Sequence, residues 1–301
     1  MFVGALVAAI LSCSTGAPTT TTSSAALTWA LRAIGAPEAW RVTQGEGEII
    51  AILDSGLSDE ALPGLRKRVV TPQPAAAGVS APIAPDMVGH GTAVTTLAAG
   101  SGDLGVWGVA PRAWVLPVSV MDASGQISQD AVVAGIYLAV HKGASVINMS
   151  FGSVSDSARV REAIHFAAVH GVIVVAASGD SAAPTSLFPA DVVDEVIAVR
   201  ALNEKGEPSL RANRVGANGI DAPGEHLLAV RLQSHTPVPA GSGGSSMAAA
   251  LVSGAISLLE ACVHRKSGLV PGLRLLVRAL RESARRGPWF NLRVALQEVG
   301  C

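Results

Sequence analysis

Short, nearly continuous apolar runs recur along the chain, and longer segments with helical spacing lie between them. The runs that we predict as strands are Glu48–Leu53, Trp114–Val120, Ser145–Met149, Gly171–Ala176, Glu195–Val199 and Leu227–Val230. Runs of this kind are typical of parallel strands that are covered on both faces. The segments that we predict as helices are Ala93–Ala99, Gln129–Lys142, Asp156–His170, Ser246–Val263 and Leu273–Arg285. Strands that alternate with helices predict an α/β fold of three layers, with helices on both faces of a mostly parallel central sheet.

Two segments show neither the apolar runs of the strands nor the spacing of the helices. Val69–Met87 is rich in Pro and Ala, and we expect a surface loop that leads towards His90. Asn203–Asn218 is polar with Gly and Pro, which favours a hairpin or a long loop. No internal repeat and no second domain are evident in the sequence.

Composition narrows the class of protein. The chain has 301 residues, of which 49% are hydrophobic and 15% are charged, so we expect a folded globular domain with a sizeable core. The formal net charge of −1 gives no electrostatic basis for binding nucleic acid. We expect a monomer that does not bind nucleic acid.

The N-terminal segment indicates export. Met1–Ser12 is nearly all apolar, is too short to span a bilayer as a mature helix, and resembles the apolar core of a secretory signal. Ile10–Cys13 resembles a bacterial lipobox, in which Cys13 would be lipidated and become the mature N-terminus. Bulky Leu11 and the lack of a preceding cation depart from that motif, so a plain secretory signal or a mis-set start codon stays open.

These features predict three regions. Residues 1–13 are a signal peptide or lipobox, residues 14–26 are a Thr/Ser-rich tether, and residues 27–301 are one folded domain. The expected location is outside the cytoplasm, either secreted or lipid-anchored at a bacterial cell envelope. We expect membrane contact only through the signal peptide or a lipid anchor.

Three glycine-containing segments carry the candidate chemistry. They are Asp54–Gly56 (DSG), His90–Thr92 (HGT) and Gly244–Ala248 (GSSMA), in that order along the chain. In a nucleophilic serine site, Ser246 attacks a carbonyl, His90 removes and returns the proton, and Asp54 orients the imidazole. Ser246 opens a predicted helix, where free main-chain N–H groups favour a developing oxyanion.

These segments and their flanks resemble the subtilisin-like serine proteases (subtilases), as do Gly108–Pro111 (GVAP) and Val146–Gly152 (VINMSFG). The resemblance extends over about residues 27–285. It implies a subtilase catalytic domain over residues 27–301, and an exported serine endopeptidase that cleaves protein or peptide substrates through an acyl-enzyme. It also implies substrate-binding roles for Ser150, Phe151, Gly152, Ser178 and Gly179.

The implied oxyanion hole departs from the family pattern. It would consist of the main-chain N–H of Ser246 and the side chain of Asp180, where most subtilases carry Asn. An ionised Asp would repel the oxyanion, whereas a protonated one could donate a hydrogen bond. Loss of such a donor costs about 10²–10³ in kcat. Some prohormone-processing relatives also carry Asp here, so the change is compatible with a protease.

Two other functions compete with that of a protease. Asp180, together with Ala250 and Leu251 in place of the usual Pro and His, motivates a catalytically weak or inactive subtilase fold that acts as a surface binding module. A lipase or esterase of the α/β-hydrolase type is disfavoured, because that fold uses Gly-x-Ser-x-Gly and the order Ser, Asp, His. For a protease we expect low selectivity with a mild apolar preference at P1, the substrate residue whose carbonyl is attacked.

Two cysteines, Cys262 and Cys301, lie in the predicted folded domain. In an exported chain Cys262 and Cys301 could form a disulfide, or they could be two unrelated thiols.

We expect no required cofactor and assign no metal ligands. Structural calcium is common in the family, but no segment here matches a ligand loop.

Overall fold

The computed structural model describes residues 29–71, 85–216 and 218–301. The predicted signal segment, Cys13, the tether and most of the predicted loop Val69–Met87 lie outside the described residues. The region boundaries at residues 13 and 26 therefore stay predictions.

A six-stranded sheet forms the centre of the domain, and every neighbouring pair of strands is parallel. Its strands are Ile49–Asp54 (β1), Trp114–Ser119 (β2), Val146–Met149 (β3), Ile173–Ala177 (β4), Val196–Leu202 (β5) and Ile220–Pro223 (β6). Their order across the sheet is β2-β1-β3-β4-β5-β6. Successive side chains of β1 enter opposite cores, with Ile50 and Ile52 in one and Ala51 and Leu53 in the other. This burial on both faces explains why the strands are continuous apolar runs.

Helices cover both faces, as predicted. They are Trp29–Ala33 (α1), Ala36–Ala39 (α2), Pro63–Arg66 (α3), His90–Ala99 (α4), Gln129–His141 (α5), Ala158–Val169 (α6), Ser245–Ser267 (α7), Leu273–Ser283 (α8) and Leu292–Glu298 (α9). Helices α5 and α6 pack on one face, and α4 and α7 pack on the other together with α1, α2, α8 and α9. The predicted three-layer α/β fold is confirmed.

One strand prediction was wrong about its partner. The run Leu227–Val230 does not join the parallel sheet but begins Leu227–Gln233 (β7), which pairs antiparallel with Thr236–Ser242 (β8). The turn between them places Ser234 and His235 at positive φ, 48° and 64°, without the Gly or Asn-Gly that usually signals such a turn. The sixth parallel strand, β6, was not predicted because its sequence IDAP is short and contains Asp and Pro.

The segment between β5 and β6 is irregular, as the prediction of a hairpin or long loop allowed. Its described residues form turns and one isolated bridge between Leu202 and Pro208. Ala217 lies outside the described residues.

Helix α7 runs through the core and carries Ser246 at its first turn. Among the described residues it is the one helix whose length and apolar character would suffice to cross a membrane, but nearly all of it is buried inside the domain. It is therefore a core helix. Near its end, Cys262 forms a disulfide with Cys301, which decides between the two alternatives that the sequence left open and ties Cys301 to the core.

Candidate active site

The candidate site lies at the C-terminal edge of the parallel sheet, where open α/β folds place their ligands. Asp54 is the last residue of β1, and the segments that follow β3 and β4 run beside the N-terminus of α7. His90 is the first residue of α4. The three motifs, which are far apart in sequence, are thus brought to one edge by β1, α4 and α7.

Asp54 and His90 form a direct pair. His90 Nδ1 lies 2.8 Å from Oδ1 and 3.0 Å from Oδ2 of Asp54, whose side chain is fully buried. The main-chain N–H of Ser55 donates to Asp54 Oδ1 at 2.8 Å and fixes the carboxylate. Close approach of α4 to this turn requires Gly91, because a Cβ there would collide with the carbonyl of Gly56. This contact explains the glycine in the HGT motif.

The electrostatic surroundings of His90 favour its protonated form. Burial alone would lower the pKa of the imidazole, but the charge and hydrogen bond of Asp54, together with the charge of Asp86, outweigh it. Arg231 on β7 acts in the opposite direction. The net effect is a His90 pKa above its ordinary value, which suits a general base that must hold a proton during reaction.

Ser246 is the second residue of α7, which begins at Ser245 directly after Gly244, whose φ is 110°. Its hydroxyl donates to the main-chain carbonyl of Ser150 at 2.8 Å. Both residues are described, and no hydrogen bond joins Ser246 to His90. Transfer of the Ser246 proton to His90 therefore requires the hydroxyl to leave the Ser150 carbonyl.

Asp180 caps the start of α7. Its carboxylate oxygens lie 3.0 and 3.1 Å from the main-chain nitrogen of Ser245, and the Ser245 hydroxyl donates to Oδ2 at 2.9 Å. An acceptor at a helix N-terminus is favourable, since the first N–H groups have no partner inside the helix. The structure thus places Asp180 next to Ser245, the residue before the candidate nucleophile Ser246, and holds its carboxylate as an acceptor.

The predicted substrate-binding residues fall on the two segments that flank α7. The Ser150 hydroxyl lies 2.8 Å from Asn148 Oδ1 and 2.9 Å from the Ser246 carbonyl. The N–H of Gly179 donates to the Ser245 hydroxyl at 3.1 Å. Phe151 is only 8% exposed and its side chain belongs to the core, so its ring is not available to contact a substrate. Gly152 and Ser178 lie on the same two segments, and Ser178 is fully buried.

One carboxylate that the sequence did not point to organises the His90 turn. Asp86 is 2% exposed. It accepts five hydrogen bonds of 2.6–3.0 Å, from the Ser55 hydroxyl, the N–H groups of Val88 and Gly89, and both the N–H and the hydroxyl of Thr92. The only sequence signal was its place four residues before His90, inside a segment predicted as a loop.

A buried amide performs a similar task for the segment after β4. Asn213 is fully buried, and its Oδ1 accepts from the N–H groups of Ser181 and Ala183 and from the Ser181 hydroxyl. Its Nδ2 donates to the Ser178 carbonyl at 3.1 Å. Asn213 lies in the polar segment predicted as a hairpin or loop, where nothing in the sequence separates it from surface residues.

The described residues contain no cluster of three or more His, Cys, Asp or Glu that could hold a metal ion. Calcium, which prefers several carboxylate and carbonyl oxygens, is therefore not given a site here. Its presence stays a prediction of the family resemblance.

Comparisons with known proteins agree with this geometry. The profile of the subtilase family matches residues 45–269. The chain belongs to the subtilase family. It is 35% identical over 248 residues to the alkaline protease of Alkalihalobacillus alcalophilus, a match that covers 80% of this chain and 61% of that protein. It is also 35% identical over 240 residues to Subtilisin Savinase of Lederbergia lenta, covering 77% of this chain and 83% of that protein.

Among solved structures, this subtilase is similar to the prenylagaramide maturation protease PagA. The TM-score is 0.72 at 26% identity, with 88% of this chain and 98% of that chain covered. The chain spans about 61% of the length of the alkaline proteases that it matches. The predicted family and fold are therefore confirmed.

Proposed function

We propose that this subtilase is a serine endopeptidase that hydrolyses peptide bonds through an acyl-enzyme on Ser246. The observation that carries the proposal is the contact of 2.8 Å between His90 and the fully buried Asp54, at the sheet edge where α7 presents Ser246. In this arrangement Asp54 fixes the imidazole so that its Nε2 faces away from β1. His90 then serves as general base for Ser246 and as general acid for the leaving amine.

Stabilisation of the tetrahedral intermediate would come mainly from the start of α7. The main-chain N–H of Ser246 belongs to the first turn of the helix, where such groups lack an intrahelical acceptor. Asp180 would contribute less than a neutral donor, because its carboxylate already accepts from Ser245. We therefore expect a working enzyme with a weakened oxyanion hole.

The substrate would bind as an extended strand. Ser150–Gly152 follows β3 at the edge of the cleft, and its main-chain groups offer the donors and acceptors for strand addition. Recognition through the main chain fits protein or peptide substrates of varied sequence.

Export belongs to the same proposal and is supported by the sequence alone. The apolar segment Met1–Ser12 fits a secretory signal, and Cys13 fits a lipid attachment site. Incorporation of labelled palmitate into the wild-type protein but not into Cys13→Ala would support lipidation. Equal incorporation into both, or incorporation into neither, would contradict it.

Hydrolysis of casein by the purified chain tests the proposed reaction. We expect peptide release by the wild type, loss of this release in Ser246→Ala, and no loss in Ser267→Ala, which removes a hydroxyl from the exposed end of the same helix. A folded wild-type protein that releases no peptides, or a Ser246→Ala variant that still releases them, would contradict the proposal.

A further inference from the structure

Leu187 lies between the two segments that flank the start of α7. Its main-chain N–H donates to the carbonyl of Ser178 at 2.9 Å. The next residue, Phe188, exchanges two main-chain hydrogen bonds of 2.8 and 3.0 Å with Ser153. The chain at Leu187 therefore bridges the segment after β3 and the segment after β4.

The side chain of Leu187 packs against glycine on both sides. A Cβ placed on Gly152 would lie 2.8 Å from the Cβ of Leu187, and one placed on Gly179 would lie 2.8 Å from its Cδ1. Real Cβ atoms essentially never make contacts this short, so Leu187 occupies the space beside Gly152 and shares the space beside Gly179 with the amide of Asn213. It is partly exposed and lies outside both hydrophobic cores, so its side chain is at the surface beside these two segments.

The gap between Gly152 and Gly179 is also where we expect the side chain of the P1 residue, whose carbonyl Ser246 attacks, to bind. Both flanking segments touch the beginning of α7, since Ser246 donates to the carbonyl of Ser150 and Gly179 donates to the Ser245 hydroxyl. A substrate carbonyl placed about 3 Å from Ser246 Oγ would lie between these segments. The side chain of that substrate residue would then point towards the gap that holds Leu187.

We propose that the Leu187 side chain fills this gap and restricts the P1 residue of the substrate to a small residue such as Gly, Ala or Ser. This inference rests on the proposed protease function and sharpens the expected P1 preference from mildly apolar to small. A larger side chain would have to displace an isobutyl group that is held on both sides by main chain. Steric discrimination of this kind is worth about 10- to 200-fold in kcat/KM for each methylene-sized difference.

A pair of peptide nitroanilides that differ only in Ala or Phe at P1 tests the inference. For the wild type we expect kcat/KM to be at least about tenfold higher with Ala than with Phe. In Leu187→Ala the value for Phe should rise by at least about tenfold while the value for Ala changes little, and Leu187→Val should be intermediate. The matched control is Leu210→Ala, which shortens a leucine that is 96% exposed and should behave like the wild type.

Thermal melts of each variant accompany the kinetics, and Leu187→Val decides the question if Leu187→Ala does not fold. Equal cleavage of both peptides by the wild type, or an unchanged Ala-to-Phe ratio in the folded variants, overturns the inference about Leu187. A folded wild type that cleaves neither peptide and whose Ser246 does not react with a fluorophosphonate overturns the proposed protease function instead. Reaction of Ser246 together with a ratio that does not respond to Leu187 leaves the proposed function standing and removes only the P1 restriction.

Discussion

Asp180 accepts hydrogen bonds from both the main-chain N–H and the hydroxyl of Ser245, the residue that directly precedes the candidate nucleophile. The carboxylate is thereby held at the positive end of α7, next to the place where an oxyanion would form. A negative charge in that position opposes the oxyanion, yet the same charge stabilises the helix start. Under the proposed mechanism, the Asp180 side chain therefore stabilises the start of α7 and weakens the oxyanion hole.

Replacement of Asp180 by Asn should raise kcat. The Asn Oδ1 can still accept from the Ser245 N–H, while its Nδ2 adds a donor for the oxyanion. We expect an increase that approaches the factor of about 10²–10³ attributed to one such donor. Steady-state kinetics with the Ala nitroanilide measure it, and Asp194→Asn, a change at an exposed position, is the control. An unchanged or lower kcat would show that Asp180 is already adapted to this site.

Replacement of Asp54 by Asn should lower kcat by about 10⁴ without unfolding the domain. The amide retains the size of the carboxylate but no longer stabilises the imidazolium and can favour the wrong imidazole tautomer. Circular dichroism checks the fold, and single-turnover kinetics measure the loss. A variant within tenfold of the wild type would remove Asp54 from the proposed mechanism.

Asp86→Asn should shift the pH profile of kcat/KM towards lower pH. The general base must be neutral, so activity rises as pH increases through the pKa of His90. Burial lowers that pKa, Asp54 and Asp86 raise it, and Arg231 opposes them. Because the Asn side chain lacks the charge of Asp86, the acidic limb should move down while Asp54 still holds His90.

This pH shift separates a positioning role for Asp86 from a merely structural one. A loss of thermal stability with an unmoved acidic limb would mean that Asp86 only supports the turn. Asp194→Asn again supplies the control, since it removes an exposed carboxylate without altering the surroundings of His90.

Glu260→Gln should stabilise the domain at neutral and alkaline pH. Glu260 is 2% exposed on α7, and both its carboxyl oxygens are buried, with the Ser145 side chain as the nearby group that opposes a rise in its pKa. Burial and the nearby Glu48 raise its pKa well above the ordinary value. The unfolded chain therefore releases this proton at a lower pH than the folded one, and stability falls as pH rises above about 4.3.

The stabilisation by Glu260→Gln should grow with pH. The melting temperature is measured between pH 5 and pH 8, where each kcal/mol recovered corresponds to about 2–4 °C for a domain of this size class. Glu162→Gln, at an exposed position on α6, is the matched control. A difference in melting temperature that does not change with pH would contradict the raised pKa.

The sequence predicted the parts of the fold in which each segment carries its own signal. The strands β1–β5 are apolar because both their faces are buried. The candidate triad lies in three short segments with glycines, of which Gly91 is required by a close main-chain contact and Gly56 and Gly244 adopt a φ of 110°. Placement of Asp54 followed from its position at the end of an apolar run.

The features that escaped prediction depend on contacts between distant segments. In the sequence, Asp86 and Asn213 look like ordinary loop residues. Their hydrogen-bond partners, which are mostly main-chain N–H groups, come close to them only in the folded chain. The hairpin of β7 and β8 turns through residues that rarely adopt positive φ. The position of Leu187 between Gly152 and Gly179 is visible only in the structure, because the two glycines lie on other segments.

Labelling of the full chain with a fluorophosphonate, followed by mass-spectrometric mapping of the modified residue, tests the central claim most directly. The account predicts one adduct, on Ser246, that is absent from Ser246→Ala, retained in Ser267→Ala and strongly reduced in Asp54→Asn. A folded chain that takes up no label at Ser246, or that labels Ser246 equally well without the Asp54 carboxylate, would contradict the account.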